Sequence, residues 1–178
     1  MAWIFYLVLA VAGVVWLGLA EGALTLDLFL DKGRIAADLA LGVGAAALLS
    51  GGWHGLRRFS SSMRELERVM RRWFGGVDSS EIFVLALISG FAEELFFRGA
   101  LQSSLGWVWA TLIFTLLHSG PGRVFRIWTV FALVAGLLFA ALVEYRENLL
   151  AATVAHVLVN WINLHGLTRS KSELTHSP

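Results

Sequence analysis

The 178-residue chain is 57% hydrophobic and only 15% charged, whereas soluble domains carry about 25% charged residues, so the composition indicates a membrane protein. Its net charge of +1 gives no electrostatic basis for binding nucleic acid. The chain has no cysteine, which excludes a disulfide framework, a thiolate zinc site and a cysteine nucleophile.

Six segments are predicted to cross the membrane, because each is an apolar run close to the roughly 20 residues that a bilayer core requires. They are Met1–Ala20, Ile35–Trp53, Ile82–Leu101, Leu105–His118, Val124–Val143 and Leu149–Leu164. The first could be a signal peptide, but it lacks a basic start and is longer than the usual apolar region of one. The fourth is short enough to tilt or to cross only part of the bilayer. The prediction is an all-α polytopic helical bundle forming one membrane domain, residues 1–178.

Residues 57–74 are predicted to form an interfacial amphipathic helix. Apolar residues recur at intervals of three and four, and basic residues take the other faces. The apolar positions are Met63, Leu66, Val69, Met70 and Trp73, and the basic ones are Arg64, Arg68, Arg71 and Arg72. Such a helix suits the surface of an anionic bilayer, with a solvated connector as the alternative. Ser62 and Glu65 have the spacing of a capping box at its start.

The positive-inside rule predicts the orientation. With the arginine-rich segment in the cytoplasm, both termini lie there too. Of the basic residues outside the spans, only Lys32, Arg34 and Arg146 then lie on the opposite side. The expected location is the bacterial cytoplasmic (inner) membrane. Asp38, near the start of the second span, is expected at the interface, and the polar tail from Thr168 to Pro178 is expected to fray.

The third span carries three charged residues, Glu93, Glu94 and Arg98. A charge at the centre of a membrane helix costs about 2.5–3.5 kcal/mol on insertion scales, so these residues must face the protein interior or a wet cavity. Glu94 and Arg98 are four apart, which favours an ion pair. Glu93 is rotated from Glu94 by about 100° and has no local partner. It is predicted either as a reactive carboxylate or as a neutral buried one.

Two later spans add His118, His156 and Asn160, of which the last two share one helix face. A lone membrane histidine is often a packing residue, but this set favours chemistry. A carboxylate beside an imidazole can deprotonate water, and a histidine and an amide can stabilise an oxyanion. Glu93, His118 and His156 are also a plausible zinc set, although no HExxH arrangement occurs. The prediction is peptide hydrolysis without a required cofactor, with zinc as the alternative.

The order of these motifs resembles the CPBP family of intramembrane proteases, also called CAAX proteases or the Abi family. Its motifs EExxxR, FxxxH and HxxxN/D match residues 93–98, 114–118 and 156–160. The resemblance covers residues 80–165, a CPBP-like catalytic core, while residues 1–53 form N-terminal helices that vary in the family.

The resemblance implies a site in a cavity within the bilayer. Glu93 and His118 would activate water, His156 and Asn160 would stabilise the oxyanion, and Glu94 and Arg98 would give structural support. The family is also classed among metalloproteases. The implied partners are the bilayer and a membrane-associated protein or peptide substrate. The chain is shorter than the eukaryotic enzymes, so their prenyl-CAAX specificity is not carried over.

Two other functions compete with an endopeptidase. One is a membrane immunity or binding protein of the same fold that does not need catalysis. The other is a small proton-linked transporter, although the halves show no inverted repeat and no paired broken helices.

Overall fold

The computed structural model describes residues 2–20, 22 and 25–168, and every regular element in them is helical. The α-helices are α1 Ala2–Ala20, α2 Leu26–Phe29, α3 Ile35–Arg57, α4 Ser61–Phe74, α5 Ser79–Glu93, α6 Ser103–Leu105, α7 Trp107–Leu117, α8 Arg123–Arg146 and α9 Leu150–Thr168. A π-helical segment, Glu94–Gln102, joins α5 to α6. The predicted all-α class is confirmed. Beyond Thr168, the tail predicted to fray lies outside the described residues.

Four of the described helices are long and apolar enough to cross a membrane, namely α1 from Trp3 onward, α3, α8 and α9. The predicted third span is α5 followed directly by the π-helical segment. The predicted fourth span is α7, which has only 11 residues. At about 1.5 Å per residue it is roughly 16 Å long, or about half of a ~30 Å hydrocarbon core. The helical membrane bundle is confirmed. The unbroken helical run from Ser79 to Gln102 also has the length of a span, whereas α7 does not.

Helix α9 packs against α3, α5 and α8 and forms the centre of the bundle. Its Ala151, Ala152 and Ala155 are fully buried, and small residues of this kind let helices approach closely in a membrane. Gly90 of α5 has the same role, since a Cβ there would lie 2.7 Å from Val157 Cγ2 and 3.0 Å from the Val157 nitrogen. This close approach brings together the two helices that carry most of the candidate site residues.

Helix α4 begins later than predicted. Helix α3 continues to Arg57, so this residue does not belong to the amphipathic helix. Ser60 caps α4, and its hydroxyl accepts the Met63 N–H at 3.2 Å. The predicted capping box that starts at Ser62 is therefore wrong, because the residue that caps the helix is Ser60, two positions before Ser62.

The buried face of α4 rests on α3, α8 and α9. Met63 and Leu66 are buried, as their spacing predicts. Trp73 is 61% exposed and stacks on Phe125 of α8 with ring centroids 6.0 Å apart. The charged residue Glu67 is buried on this face. Its carboxylate is satisfied there, since Trp53 Nε1 at 3.2 Å and the Arg57 guanidinium at 3.1 Å donate to it.

Asp38, which was expected at the membrane interface, is fully buried within the protein in the first turn of α3. Its carboxylate is paired with Arg146, the last residue of α8, and accepts from Asn148 Nδ2 at 3.1 Å. Asn148 Oδ1 in turn accepts the Leu150 N–H at 2.9 Å, at the start of α9. The burial of Asp38 is thus compensated by partners that join α3 to the α8–α9 turn.

Candidate active site

The three charged residues of the third span lie where α5 becomes π-helical. Glu93 ends α5, and Glu94 and Arg98 belong to the π-helical segment. A π-helix takes i→i+5 hydrogen bonds, is rare, and occurs frequently at functional sites. All three side chains are buried, with Glu93 6% exposed and Glu94 fully buried. The prediction that they face the protein interior is correct.

The Glu93 carboxylate is the point on which two imidazoles converge. Its Oε2 lies 3.5 Å from His118 Nε2 and 3.9 Å from His156 Nε2. Within the part of the chain that the structure describes, this oxygen has no hydrogen-bond partner. An unpartnered buried carboxylate oxygen is costly unless a ligand or water satisfies it. The structure therefore brings together Glu93, His118 and His156 from three different helices.

His118 follows the last residue of α7 and is oriented by Phe114. Its Nδ1 lies 2.8 Å from the Phe114 carbonyl oxygen. Because a carbonyl only accepts, Nδ1 carries the proton, and Nε2 of the neutral ring presents its lone pair to Glu93. The Phe114 ring also packs against the imidazole, with centroids 4.2 Å apart. These two contacts explain the spacing of four between the phenylalanine and the histidine.

His156 is oriented by Glu94, a contact that the sequence analysis missed. Its Nδ1 lies 2.7 Å from Glu94 Oε1, and its ring stacks on Phe139 with centroids 4.9 Å apart. The two residues are on different helices, so no local spacing indicates the pair. Glu94 thus has a second role beside the predicted pairing with Arg98.

Arg98 is held by a carboxylate, a carbonyl and an aromatic ring. Its Nε lies 3.6 Å from Glu94 Oε2, and its Nη2 donates to the Gly136 carbonyl oxygen at 3.2 Å. The guanidinium carbon lies 4.6 Å from the centre of the Phe114 ring. At Gly136 a Cβ would lie 3.1 Å from this ring, so glycine leaves room for the ring that supports Arg98.

The buried charges balance when one imidazole is protonated. If both carboxylates are ionised, Glu93 and Glu94 place two negative charges beside the single positive charge of Arg98. An unpaired buried charge is strongly destabilising, so a second positive charge is favoured at this place. His156 contacts both carboxylates, at 2.7 and 3.9 Å, and is the better placed imidazolium. In that form both of its ring nitrogens donate.

Asn160 lies one helical turn after His156 and contacts Ser89 of α5. Its Nδ2 donates to the Ser89 hydroxyl oxygen at 3.0 Å. Ser89 is 2% exposed and precedes Glu93 by four residues, so that it lies on the Glu93 face of the helix. That spacing could have identified Ser89 from the sequence, but a serine in an apolar span attracts little notice.

A cavity of about 160 Å³ extends from Glu93 to the underside of α4. This is well above the about 10–15 Å³ that one water needs. At the reactive end it is lined by Tyr6, Ser89, Glu93, His118 and Asn160, and at the other by Trp53, Arg57, Glu67 and Phe74. Neither Tyr6 nor the lining contributed by α3 and α4 was predicted from the sequence.

The sequence left zinc as the alternative to a metal-free site, with Glu93, His118 and His156 as its ligands. Among the described residues, no group of three or more His, Cys, Asp or Glu side chains is arranged to hold a metal ion. A zinc ion about 2.0–2.2 Å from each ligand atom sets neighbouring ligand atoms roughly 3.3–3.6 Å apart, and Glu93 Oε2 lies 3.5 Å from His118 Nε2 and 3.9 Å from His156 Nε2.

Comparisons with known proteins agree with the motifs. Residues 76–162 match the family model described as "Type II CAAX prenyl endopeptidase Rce1-like". The chain is also 30% identical over 107 residues to "Uncharacterized protein YpbD" of Bacillus subtilis (strain 168), over 59% of this chain and 55% of that protein. It therefore spans about half the length of this curated relative. No solved structure matches the chain.

Proposed function

We propose that the chain, whose residues 76–162 match the family model of Rce1-like type II CAAX prenyl endopeptidases, is an intramembrane endopeptidase. It hydrolyses a peptide bond near the membrane. The observation that carries the proposal is the convergence of the His118 and His156 Nε2 atoms on Glu93 Oε2, at 3.5 and 3.9 Å. A carboxylate and a lone-pair nitrogen beside a wet cavity can activate water.

The reaction begins with water held between Glu93 Oε2 and His118 Nε2. Glu93 takes one proton as the water oxygen attacks the peptide carbonyl carbon. The carbonyl oxygen becomes an oxyanion and accepts hydrogen bonds from His156 Nε2–H and an Asn160 N–H. The C–N bond then breaks, and the proton from Glu93 reaches the leaving amine directly or through His118.

Glu94 and Arg98 support this chemistry without touching the substrate. Glu94 accepts from His156 Nδ1 at 2.7 Å, so it favours the doubly protonated ring that can donate from Nε2. Arg98 offsets the charge of Glu94 and ties the π-helical segment to α8 through the Gly136 carbonyl.

The substrate is a membrane-associated protein or peptide. The reactive end of the cavity lies among apolar helices, and its other end lies under the basic helix α4. With the orientation given by the positive-inside rule, that end faces the cytoplasm, both termini are cytoplasmic, and the membrane is the bacterial inner membrane.

A substrate trap tests the proposal in cells. The Glu93→Gln protein, carrying a photocrosslinker beside the cavity, is expected to capture an uncut membrane-associated protein. In cells that carry the wild-type protein, the same substrate is expected as fragments. Glu81→Gln removes an exposed acid from the first turn of the same helix and is expected to behave as wild type.

The competing immunity or binding function gives the opposite result. In that case a protective phenotype would persist in a Glu93→Gln, His118→Ala double variant. No protein would be cut in the wild-type strain and intact in the strain with the double variant.

The reaction is proposed to need no metal. Cleavage by the purified protein is expected to survive a chelator followed by exhaustive dialysis. A loss of cleavage that Zn²⁺ restores would contradict this and would identify Glu93, His118 and His156 as ligands.

A further inference from the structure

Two polar side chains that no motif includes lie at the reactive end of the cavity. Ser89 belongs to α5, and Tyr6 belongs to α1, outside residues 76–162 that match the family model. Both line the cavity together with Glu93, His118 and Asn160. Buried polar groups need hydrogen-bond partners, so their position at the reaction centre requires an explanation.

Ser89 controls which way the Asn160 amide points. Its hydroxyl donates to the Ala86 carbonyl oxygen at 3.3 Å, which leaves its oxygen as an acceptor. Asn160 meets this acceptor with Nδ2 at 3.0 Å, because its amide oxygen would find no donor there. An amide nitrogen carries two N–H groups. One is used by Ser89, so the other is available to a ligand in the cavity.

Tyr6 presents a hydroxyl to the same place from α1. Its side chain is half-buried and lies beside the Ser89 hydroxyl and near the Glu93 carboxylate. A phenol can donate one hydrogen bond, and a buried tyrosine hydroxyl usually finds a partner. A substrate carbonyl that enters the cavity at this place would offer the Tyr6 O–H an acceptor.

We infer that Tyr6 donates a hydrogen bond to the reacting carbonyl oxygen of the substrate, and that Ser89 is a positioning residue that fixes the Asn160 amide for the same oxygen. The oxyanion then receives donors from α1 as well as from α9. This inference rests on the proposed peptidase function. It makes α1 part of the active site rather than only a membrane anchor.

The test uses the full chain, reconstituted in lipid vesicles with the substrate that the Glu93→Gln trap captures. Tyr6→Phe keeps the ring and removes the hydroxyl. Its kcat is expected to fall on the order of 10²-fold, the effect of losing one oxyanion donor, while KM stays nearly constant because the bond strengthens in the transition state. Tyr145→Phe is the matched control, since Tyr145 is the second of two tyrosines and is exposed.

A double-mutant cycle separates the role of Ser89 from a general structural one. Ser89→Ala is expected to lower kcat strongly in the wild-type background and to add little in an Asn160→Ala background, because Ser89 acts through Asn160. Ser50→Ala, which removes another buried hydroxyl on α3, is expected to leave the rate unchanged.

Either of two results would overturn the inference. One is a Tyr6→Phe protein that cleaves at the wild-type rate, and the other is a Ser89→Ala loss that adds fully to the Asn160→Ala loss. Failure of the peptidase function itself gives a different pattern, because the wild type would then show no cleavage that Glu93→Gln abolishes.

Discussion

At the scale of single residues, Glu94 has two partners with different purposes. Arg98 lies on the next turn of the same helical run, 3.6 Å away, and His156 lies on α9, 2.7 Å away. The contact with Arg98 offsets a buried charge. In the proposed mechanism the contact with His156 favours a ring that is protonated at both nitrogens, so that Nε2 can donate.

Changing Glu94 to Gln tests this second purpose. The amide oxygen can still accept from His156 Nδ1, but the negative charge that favours the imidazolium is lost. We expect the protein to fold and kcat to fall on the order of 10²-fold, within the range for acid–base groups. The measurement is the cleavage rate in vesicles, with Glu81→Gln as the control. An unchanged rate would mean that the charge of Glu94 does not act on His156.

The residues of the proposed catalytic site and the Glu94–Arg98 pair were predictable from the sequence, whereas the contacts between helices that support the site were not. Glu93, His118, His156 and Asn160 stand out because polar groups in apolar spans are costly. The Glu94–His156 contact joins residues on two helices, and Tyr6 is one aromatic among many in an apolar span. Only the packing of α1, α5 and α9 brings these side chains to one cavity.

At the scale of elements, the site depends on how closely α5 approaches α9. Gly90 lies one residue after Ser89, and Val157 lies one residue after His156. The Gly90–Val157 contact therefore sets the distance between the polar side chains of α5, Ser89 and Glu93, and those of α9, His156 and Asn160. The π-helical segment begins four residues later, at Glu94.

Gly90→Ala is expected to push α9 away from α5. The added Cβ would lie 3.0 Å from the Val157 nitrogen, a backbone atom that cannot move alone, and overpacking of this kind costs about 1–3 kcal/mol. We expect a lower unfolding midpoint in detergent and a loss of cleavage. Gly51→Ala on α3 is the control, since a Cβ there would meet nothing within 4 Å. Equal stability of the two variants would contradict the close approach.

The sequence predicted the helical elements better than their ends. Apolar runs identified α3 and α9, because a bilayer requires such runs. The N-cap of α4 was misplaced by two residues, since Ser60 and Ser62 are chemically equal candidates. The change from α- to π-helix at Glu94 was not predictable. Its charged residues contact other helices, and no local propensity in the sequence indicates such contacts.

At the scale of the whole molecule, a second buried polar cluster lies apart from the cavity. Asp38, Arg146 and Asn148 join the start of α3 to the turn between α8 and α9. None of them lines the cavity. We expect this cluster to fix the bundle and to take no part in the reaction.

Removal of the carboxylate by Asp38→Ala leaves Arg146 buried without its ionic partner. Breaking a buried pair in this way costs about 3–5 kcal/mol, so we expect a large drop in the unfolding midpoint. The protein that remains folded should keep its kcat. Asp31→Ala, which removes an exposed partner of Arg34, should change the midpoint little. A stable Asp38→Ala protein would show that the cluster does not hold the bundle together.

The cleavage rate of Glu93→Gln in reconstituted vesicles tests the central claim most directly, with the wild type measured on the same captured substrate. Glutamine preserves the size of the side chain but cannot take a proton from water. We expect the rate to fall at least about 10²-fold, since general-base catalysis typically contributes 10²–10⁴-fold, while the variant remains folded and inserted. Cleavage by Glu93→Gln at the wild-type rate would contradict the assignment of Glu93 as the group that activates water.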